Sequence, residues 1–253
     1  MKITTKLLTL VLFINTVFTN AQNETNLYDS VQQIDTAAIK TQKTLLQKNI
    51  VPLSLIGIGL ALNNSNFEKD FQKNIRKNVG ENYKTSIDDY LVFVPVVQLY
   101  AADIFGVKAK NHWFDQSKYL FISNVVSTGI SQLLKSAISK TRPDGLPESF
   151  PSGHSTIAFT NAAVLMNEFK ETSPILAYSG YTFATTTGIF RMANNKHYIA
   201  DVLVGAGIGI LVTQLVYHFE PLKNFNPFIK SKKSTFIPQF TENTVGFYFK
   251  YEL

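Results

Sequence analysis

His197 and Asp201, four residues apart, carry the sharpest chemical signal in the chain. On a helix they would be neighbours on one face. A carboxylate beside one imidazole nitrogen fixes the tautomer and raises the basicity of the other, which a histidine needs to act as nucleophile or base. The alternative is that Asp201 simply opens the apolar run 202–217, where an unpaired carboxylate is costly. Upstream, Lys135 and Arg142 are seven apart. Two helical turns would place them on one face at the end of an otherwise uncharged helix, which Pro143 stops. Two cations there either complement the helix macrodipole or hold an anion. Between these pieces lies Ser149-Phe150-Pro151-Ser152-Gly153-His154-Ser155. Pro-Ser-Gly is turn chemistry, and Ser152 or Ser155 can cap the helix that follows. Free amides at that helix start, next to a glycine, form an anion site. His154 would stand at its rim, or be no more than a structural residue near a cap.

The elements that must position these residues read as helices. Six apolar segments, 50–62, 90–107, 119–134, 155–166, 172–190 and 202–217, have helical rather than strand lengths, with turn residues between them. The first is short and broken by Pro52, Gly57 and Gly59, and the last carries Gly205, Ala206, Gly207 and Gly209, which allow close helix packing. If 155–166 and 172–190 form a hairpin through 170–173, an up-down bundle brings Lys135, Arg142, His154, Arg191, His197 and Asp201 to one end. Cations, two histidines and an orienting carboxylate around a helix N-terminus make a phosphate-transfer site. From 236 to 253 aromatic and polar residues alternate, which predicts a terminal strand or hairpin.

Composition narrows the class. The chain has no cysteine, which excludes disulfides, thiol catalysis and cysteine-ligated metal. Charged residues are only 17% of the chain and hydrophobic ones 45%, which leans toward a membrane protein, while a mean hydropathy of +0.03 leans back toward water. The charge of +6 is scattered. Lys69, Lys73, Arg76, Lys77 and Lys84 are interleaved with Glu68, Asp70, Glu81, Asp88 and Asp89, a pattern read as a solvated helix face and not a nucleic-acid patch. Lys2 and Lys6, an apolar stretch to Val17 and Thr19-Asn20-Ala21 read as an export signal over 1–21. Residues 22–253 are then one domain with its catalytic core at 119–218. The expected fold is all-α, a membrane-embedded bundle of about six helices with a short C-terminal β-like tail. The walls that choose a substrate are expected from 63–89, 103–118 and the tail.

The pattern Lys-x6-Arg-Pro, then Pro-Ser-Gly-His, then Arg-x5-His-x3-Asp resembles the type 2 phosphatidic acid phosphatase superfamily, which includes lipid phosphate phosphatases, bacterial class A acid phosphatases and vanadium haloperoxidases. The resemblance covers 135–201 in order and spacing. One position departs: Phe190 stands where the third motif usually has serine. The resemblance implies that His197 attacks phosphorus, Asp201 orients it and His154 protonates the leaving oxygen. It also implies that Lys135, Arg142, Ser152, Gly153 and Arg191 hold the phosphate, with no metal or other cofactor. The implied substrate is a phosphorylated lipid: phosphatidic acid, phosphatidylglycerol phosphate, undecaprenyl diphosphate or a lipid A phosphate. The export signal separately places the protein in the cell envelope, and because 50–62 is too short to cross a bilayer, two crossings precede the site and it is expected to face the periplasm. Alternatives left open are a soluble periplasmic acid phosphatase, a vanadate-dependent haloperoxidase and a non-catalytic phospholipid-binding membrane protein.

Overall fold

The computed structural model describes residues 45–219, 222, 225, 234–241 and 244–251; the expected export signal lies outside them. The described residues form helices α1 (Leu45–Lys48), α2 (Ile50–Leu62), α3 (Asn66–Val79), α4 (Ile87–Leu91), α5 (Val94–Ile104), α6 (Trp113–Ala137), α7 (Gly153–Phe169), α8 (Pro174–Ala193) and α9 (Ile199–His218). Strands β1 (Ser234–Thr241) and β2 (Thr244–Tyr251) follow. They pair antiparallel, Ser234 opposite Tyr251, as the alternation from 236 predicts. The six apolar segments correspond to α2, α4 with α5, α6, α7, α8 and α9. The bundle is therefore all-helical, with two further elements that are short or polar: α1 and α3.

α9 sits at the centre because it is apolar on every side, which suits a helix surrounded by others. Its glycines set the packing distance. A Cβ at Gly205 would stand 2.6 Å from the Ser152 carbonyl oxygen, and one at Gly209 would stand 2.5 Å from that of Thr156. The backbone of α9 therefore runs directly against the first turns of α7, and this close approach brings the two chemical motifs together. α2 runs antiparallel along another side of α9, with Gly59 against Ala200 and Val204, and Pro52 and Ile56 against Gly207. It then bends by 93° into α3.

The polarity of α6 is inverted. Ser123, Ser127, Ser131 and Lys135, spaced by four, are buried, whereas Phe121, Val125, Val126 and Leu133 are exposed. α5 buries apolar residues, Leu99 and Ala102, and also exposes Val97 and Ile104, with Phe105 exposed just beyond it. At the end of the bundle away from Lys135, Leu99, Ala102, Leu165, Phe169 and Ala177 pack into a core cluster.

Two expectations are corrected. The 68–89 stretch is not a uniformly solvated face: Glu68, Gln72 and Asp88 are buried, while Lys69, Asp70, Lys73, Lys77 and Asp89 among their neighbours are exposed. α3 lies across the end of the bundle, where Gln72 Nε2 donates to the Met192 carbonyl at 2.9 Å and Arg76 Nη1 to that of Ala193 at 2.7 Å. Also, 103–118 cannot wall the site. Lys110 N–H donates to the carbonyl of Glu168, which lies about 20 Å along α7 from His154 at 1.5 Å rise per residue.

Candidate active site

Each chemical residue is delivered by the end of an element. α6 ends at Ala137 and leaves Lys135 in its last turn. α7 starts at Gly153, with Ser152 as its cap: the Ser152 hydroxyl accepts from Ser155 N–H at 3.3 Å. α8 ends just past Arg191, and His197 precedes α9, which Tyr198 caps. Two local readings change here. Arg142 is not on the helix of Lys135 but in the loop beyond it. His197 and Asp201 are likewise not on one helix face, because only Asp201 is helical, as the third residue of α9.

The expected convergence nonetheless occurs. Lys135, Arg142, Gly153, His154, Arg191 and His197 all line one cavity of about 340 Å³, whose remaining wall is Thr128, Ser131, Gln132 and Ile157. Ser152 and Asp201 are buried directly behind it and do not line it. Lys135 Nζ is held by the carbonyl of Glu148 at 2.6 Å. Glu148 itself adopts the left-handed conformation, with φ +59, which a non-glycine residue takes only where its surroundings fix it. Arg142 Nε and Arg191 Nε are buried with no hydrogen-bond partner. A buried guanidinium N–H without an acceptor is expensive, and both belong to cations lining the same cavity. An anion with several oxygens is what these donors lack.

The histidines differ. His197 is 2% exposed, and its Nδ1 faces Asp201 Oδ2 at 3.5 Å. That distance is an ion-pair approach and not a formed hydrogen bond, in keeping with Nδ1 having no hydrogen-bond partner. The facing of Nδ1 toward Asp201 leaves Nε2 for the cavity. Burial, with the Arg191 and Lys135 cations adding to it and Asp201 opposing, pulls the His197 pKa down to about 4. The ring is thus a neutral imidazole at pH 7, with a lone pair available. His154 is partly exposed, and its Nε2 pairs with Asp89 Oδ1 at 2.9 Å.

The low pKa of His197 has a consequence for stability. The unfolded chain takes up this proton near the ordinary 6.5 and the folded chain only near 4. Its contribution is therefore complete above 6.5 and is lost as pH falls toward 4. Thermal unfolding in detergent at pH 7.5 and pH 5 should show a larger loss at pH 5 for wild type than for His197→Asn. Equal losses in both proteins would contradict the assignment.

Sequence reasoning missed the acidic partners. Arg191 Nη1 donates to Asp88 Oδ2 at 2.8 Å, and Asn194 Nδ2 to Asp88 Oδ1 at 2.9 Å. Asp201 accepts from Ser149 Oγ at 2.5 Å, from Tyr198 N–H at 2.9 Å and from Lys140 Nζ at 2.8 Å. Lys140 also pairs with Glu68 at 2.9 Å. The available signal was an acidic pair, Asp88-Asp89, just before an apolar helix, and it was absorbed into a general charge count. Among the described residues no group of three or more His, Asp or Glu is arranged to hold a metal ion.

Comparison with known proteins agrees with this geometry. Residues 117–225 match the PAP2 superfamily. The lipid A 1-phosphatase of Porphyromonas gingivalis is 32% identical over 177 residues, which are 69% of this chain and 40% of that protein. The lipid A 1-phosphatase of Rhizobium etli is 33% identical over 120 residues, 39% of this chain and 49% of that protein. The chain thus spans less than half the length of these relatives. Among solved structures, Aquifex aeolicus LpxE aligns with 22% identity and a TM-score of 0.43, over 58% of this chain and 94% of that one. A transmembrane PAP2-type phosphatidylglycerolphosphate phosphatase from Bacillus subtilis aligns with 20% identity and a TM-score of 0.45, over 70% and 99%. The matched span contains all three motifs, and their Lys, Arg, His and Asp residues meet at or directly behind one cavity: the chain belongs to the PAP2 superfamily.

Proposed function

We propose that this protein is a phosphatase acting on a phosphorylated lipid through a phosphohistidine at His197. The observation that carries the reading is the pair of unpartnered guanidinium donors, Arg142 Nε and Arg191 Nε, at one cavity with Lys135 and a neutral buried imidazole. Nε2 of His197 forms a bond to phosphorus as the bond from phosphorus to the leaving oxygen breaks. His154 gives that oxygen its proton. Lys135, Arg142 and Arg191, with the Gly153 amide, offset the charge on the three equatorial oxygens, which other phosphoryl-transfer sites assign to metal ions; Ser152, expected among them, stands behind the cavity and caps α7 instead. Water then attacks phosphorus, the N–P bond breaks, and His154 takes the proton back. Asp201 orients His197 and balances the imidazolium as it forms.

The inverted α6 supports a lipid setting. A helix with serines inward and Phe121, Val125, Val126 and Leu133 outward has its apolar surface where a soluble bundle would meet water. α9 has the length and apolarity to cross a bilayer, although it is mostly covered by its neighbours. α5 leaves the site end and α6 returns to it, so 63–89 and the site share a side. With 1–21 as an export signal and the bent α2–α3 pair entering without a full crossing, that side is the periplasm. Reporter fusions should then give an exported signal at Asp144 and a cytoplasmic one at Lys110; a cytoplasmic signal at Asp144 contradicts this topology.

The relatives named lipid A 1-phosphatase favour a sugar-linked phosphate, and the cavity suits one. Beyond the cations its wall is uncharged: Thr128, Ser131 and Gln132, with Ile157 offering apolar surface. Ser131 Oγ is buried without a partner. Ser131→Ala should lower the ratio of kcat/KM for a lipid A 1-phosphate over that for p-nitrophenyl phosphate by up to about tenfold, the worth of one hydrogen bond. An unchanged ratio removes Ser131 from substrate choice. The reaction class is tested by phosphate release in excess EDTA from lipid A, phosphatidic acid, phosphatidylglycerol phosphate, undecaprenyl diphosphate and p-nitrophenyl phosphate. Release from the lipid substrates is expected; failure on every one of them by folded protein overturns the reading.

A further inference from the structure

We propose that Glu68 and Lys140 form a positioning clamp for the Asp201 carboxylate, through which α3 controls the group behind His197. This rests on the reading of His197 as the nucleophile. Neither residue lines the cavity. Both are nonetheless nearly inaccessible, with side chains 0% and 3% exposed, and so is Asp201 at 0%.

The geometry is specific. Lys140 Nζ lies 2.9 Å from the Glu68 carboxylate and 2.8 Å from Asp201 Oδ1, so one ammonium serves two carboxylates. The rings of Tyr198 and Phe150 face the same ammonium, with centroids at 4.6 and 5.6 Å. Lys140 is fixed by its loop, where Ser149 N–H donates to its carbonyl at 2.8 Å. Glu68 is fixed by the start of α3: Asn64 N–H donates to its carboxylate at 2.6 Å, and Ser65 Oγ accepts from its own N–H at 3.2 Å. The clamp holds Oδ1 of Asp201 on one side, while Ser149 and Tyr198 hold Oδ2 beside His197.

The charge balance explains why a lysine is needed. Asp201 faces Lys140 from the loop, His197 and Tyr198 from the start of α9, and Glu68 across the ammonium; Lys135 of α6 adds its field from the cavity side. Without Lys140, two carboxylates would face one another in a dry site with no cation between them. Such a pair keeps a proton that separated carboxylates would release. A proton on Asp201 ends its support of the imidazolium that forms when His197 attacks.

The test uses the full chain in detergent, with wild type, Lys140→Met, Glu68→Gln and the double variant, and kcat and KM for p-nitrophenyl phosphate across pH. Lys140→Met should lower kcat by about 100-fold with little change in KM, the scale of a mispositioned proton or nucleophile partner. The acid limb of its kcat profile should move to higher pH. The double variant, which removes the competing carboxylate together with the ammonium, should regain at least about tenfold of that loss and return the limb toward wild type. A merely structural role lowers kcat without moving the limb and gives no rescue. If Lys140→Met does not fold, Lys140→Gln takes its place, and its acid limb should likewise move to higher pH and return toward wild type when Glu68→Gln is added. An active wild type with unshifted limbs overturns the clamp alone, whereas an inactive wild type overturns the phosphatase reading on which it stands.

Discussion

His197→Ala should abolish turnover, lowering kcat by at least about 10⁴-fold while the protein stays folded. The size follows from chemistry that no neighbour can replace. His197 is the buried imidazole at the cavity, and His154, the other histidine lining it, is tied to Asp89 on the more exposed side. Folding should survive, because the variant removes a ring whose Nδ1 makes no hydrogen bond and leaves Asp201 held by Ser149, Tyr198 and Lys140. Single-turnover assays check this, since a variant with normal KM and no burst has lost the nucleophile and not the site. Retention of even a hundredth of wild-type kcat would move the attack to another group.

The second large effect is on Arg191, where activity and stability separate. Its guanidinium lines the cavity and also pairs with the buried Asp88. Arg191→Ala should lower kcat/KM by about 10²- to 10³-fold through the lost equatorial charge. It should also destabilise the fold by about 3–5 kcal/mol, because Asp88 is left buried and unpaired. Adding Asp88→Ala should restore most of the stability and none of the activity. Thermal unfolding and initial rates on the same preparations decide the matter. Recovery of activity with stability would mean that Arg191 is only a structural ion pair.

These two residues also mark how far the sequence carries the account. The motif spacings alone bring Lys135, Arg142, His154, Arg191 and His197 to one end, because helices joined by short turns must alternate in direction. The local geometry was less legible. Arg142 and His197 were placed on helices that end or begin a few residues away, since periodicity is a poor guide within a turn of a boundary. The partners of the motif residues were not legible at all. The burial of Glu68, Asp88 and Lys140 is set by tertiary packing: the 93° bend between α2 and α3 carries Glu68 over the end of the bundle, while Asp88 meets Arg191 and Lys140 meets Asp201. Charged residues reveal burial through tertiary partners that a linear pattern does not contain. Gly205 and Gly209 behaved the other way, since a glycine run in an apolar helix already announces that another backbone comes close.

The central claim is that phosphorus passes through His197. The most direct measurement is to quench wild-type protein within milliseconds of mixing with ³²P-labelled substrate in excess EDTA, and to map the labelled residue. The account predicts an acid-labile, alkali-stable phosphoprotein, labelled at His197 and absent from His197→Ala. Steady phosphate release with no labelled protein at any quench time would contradict it, and would point to direct attack by water.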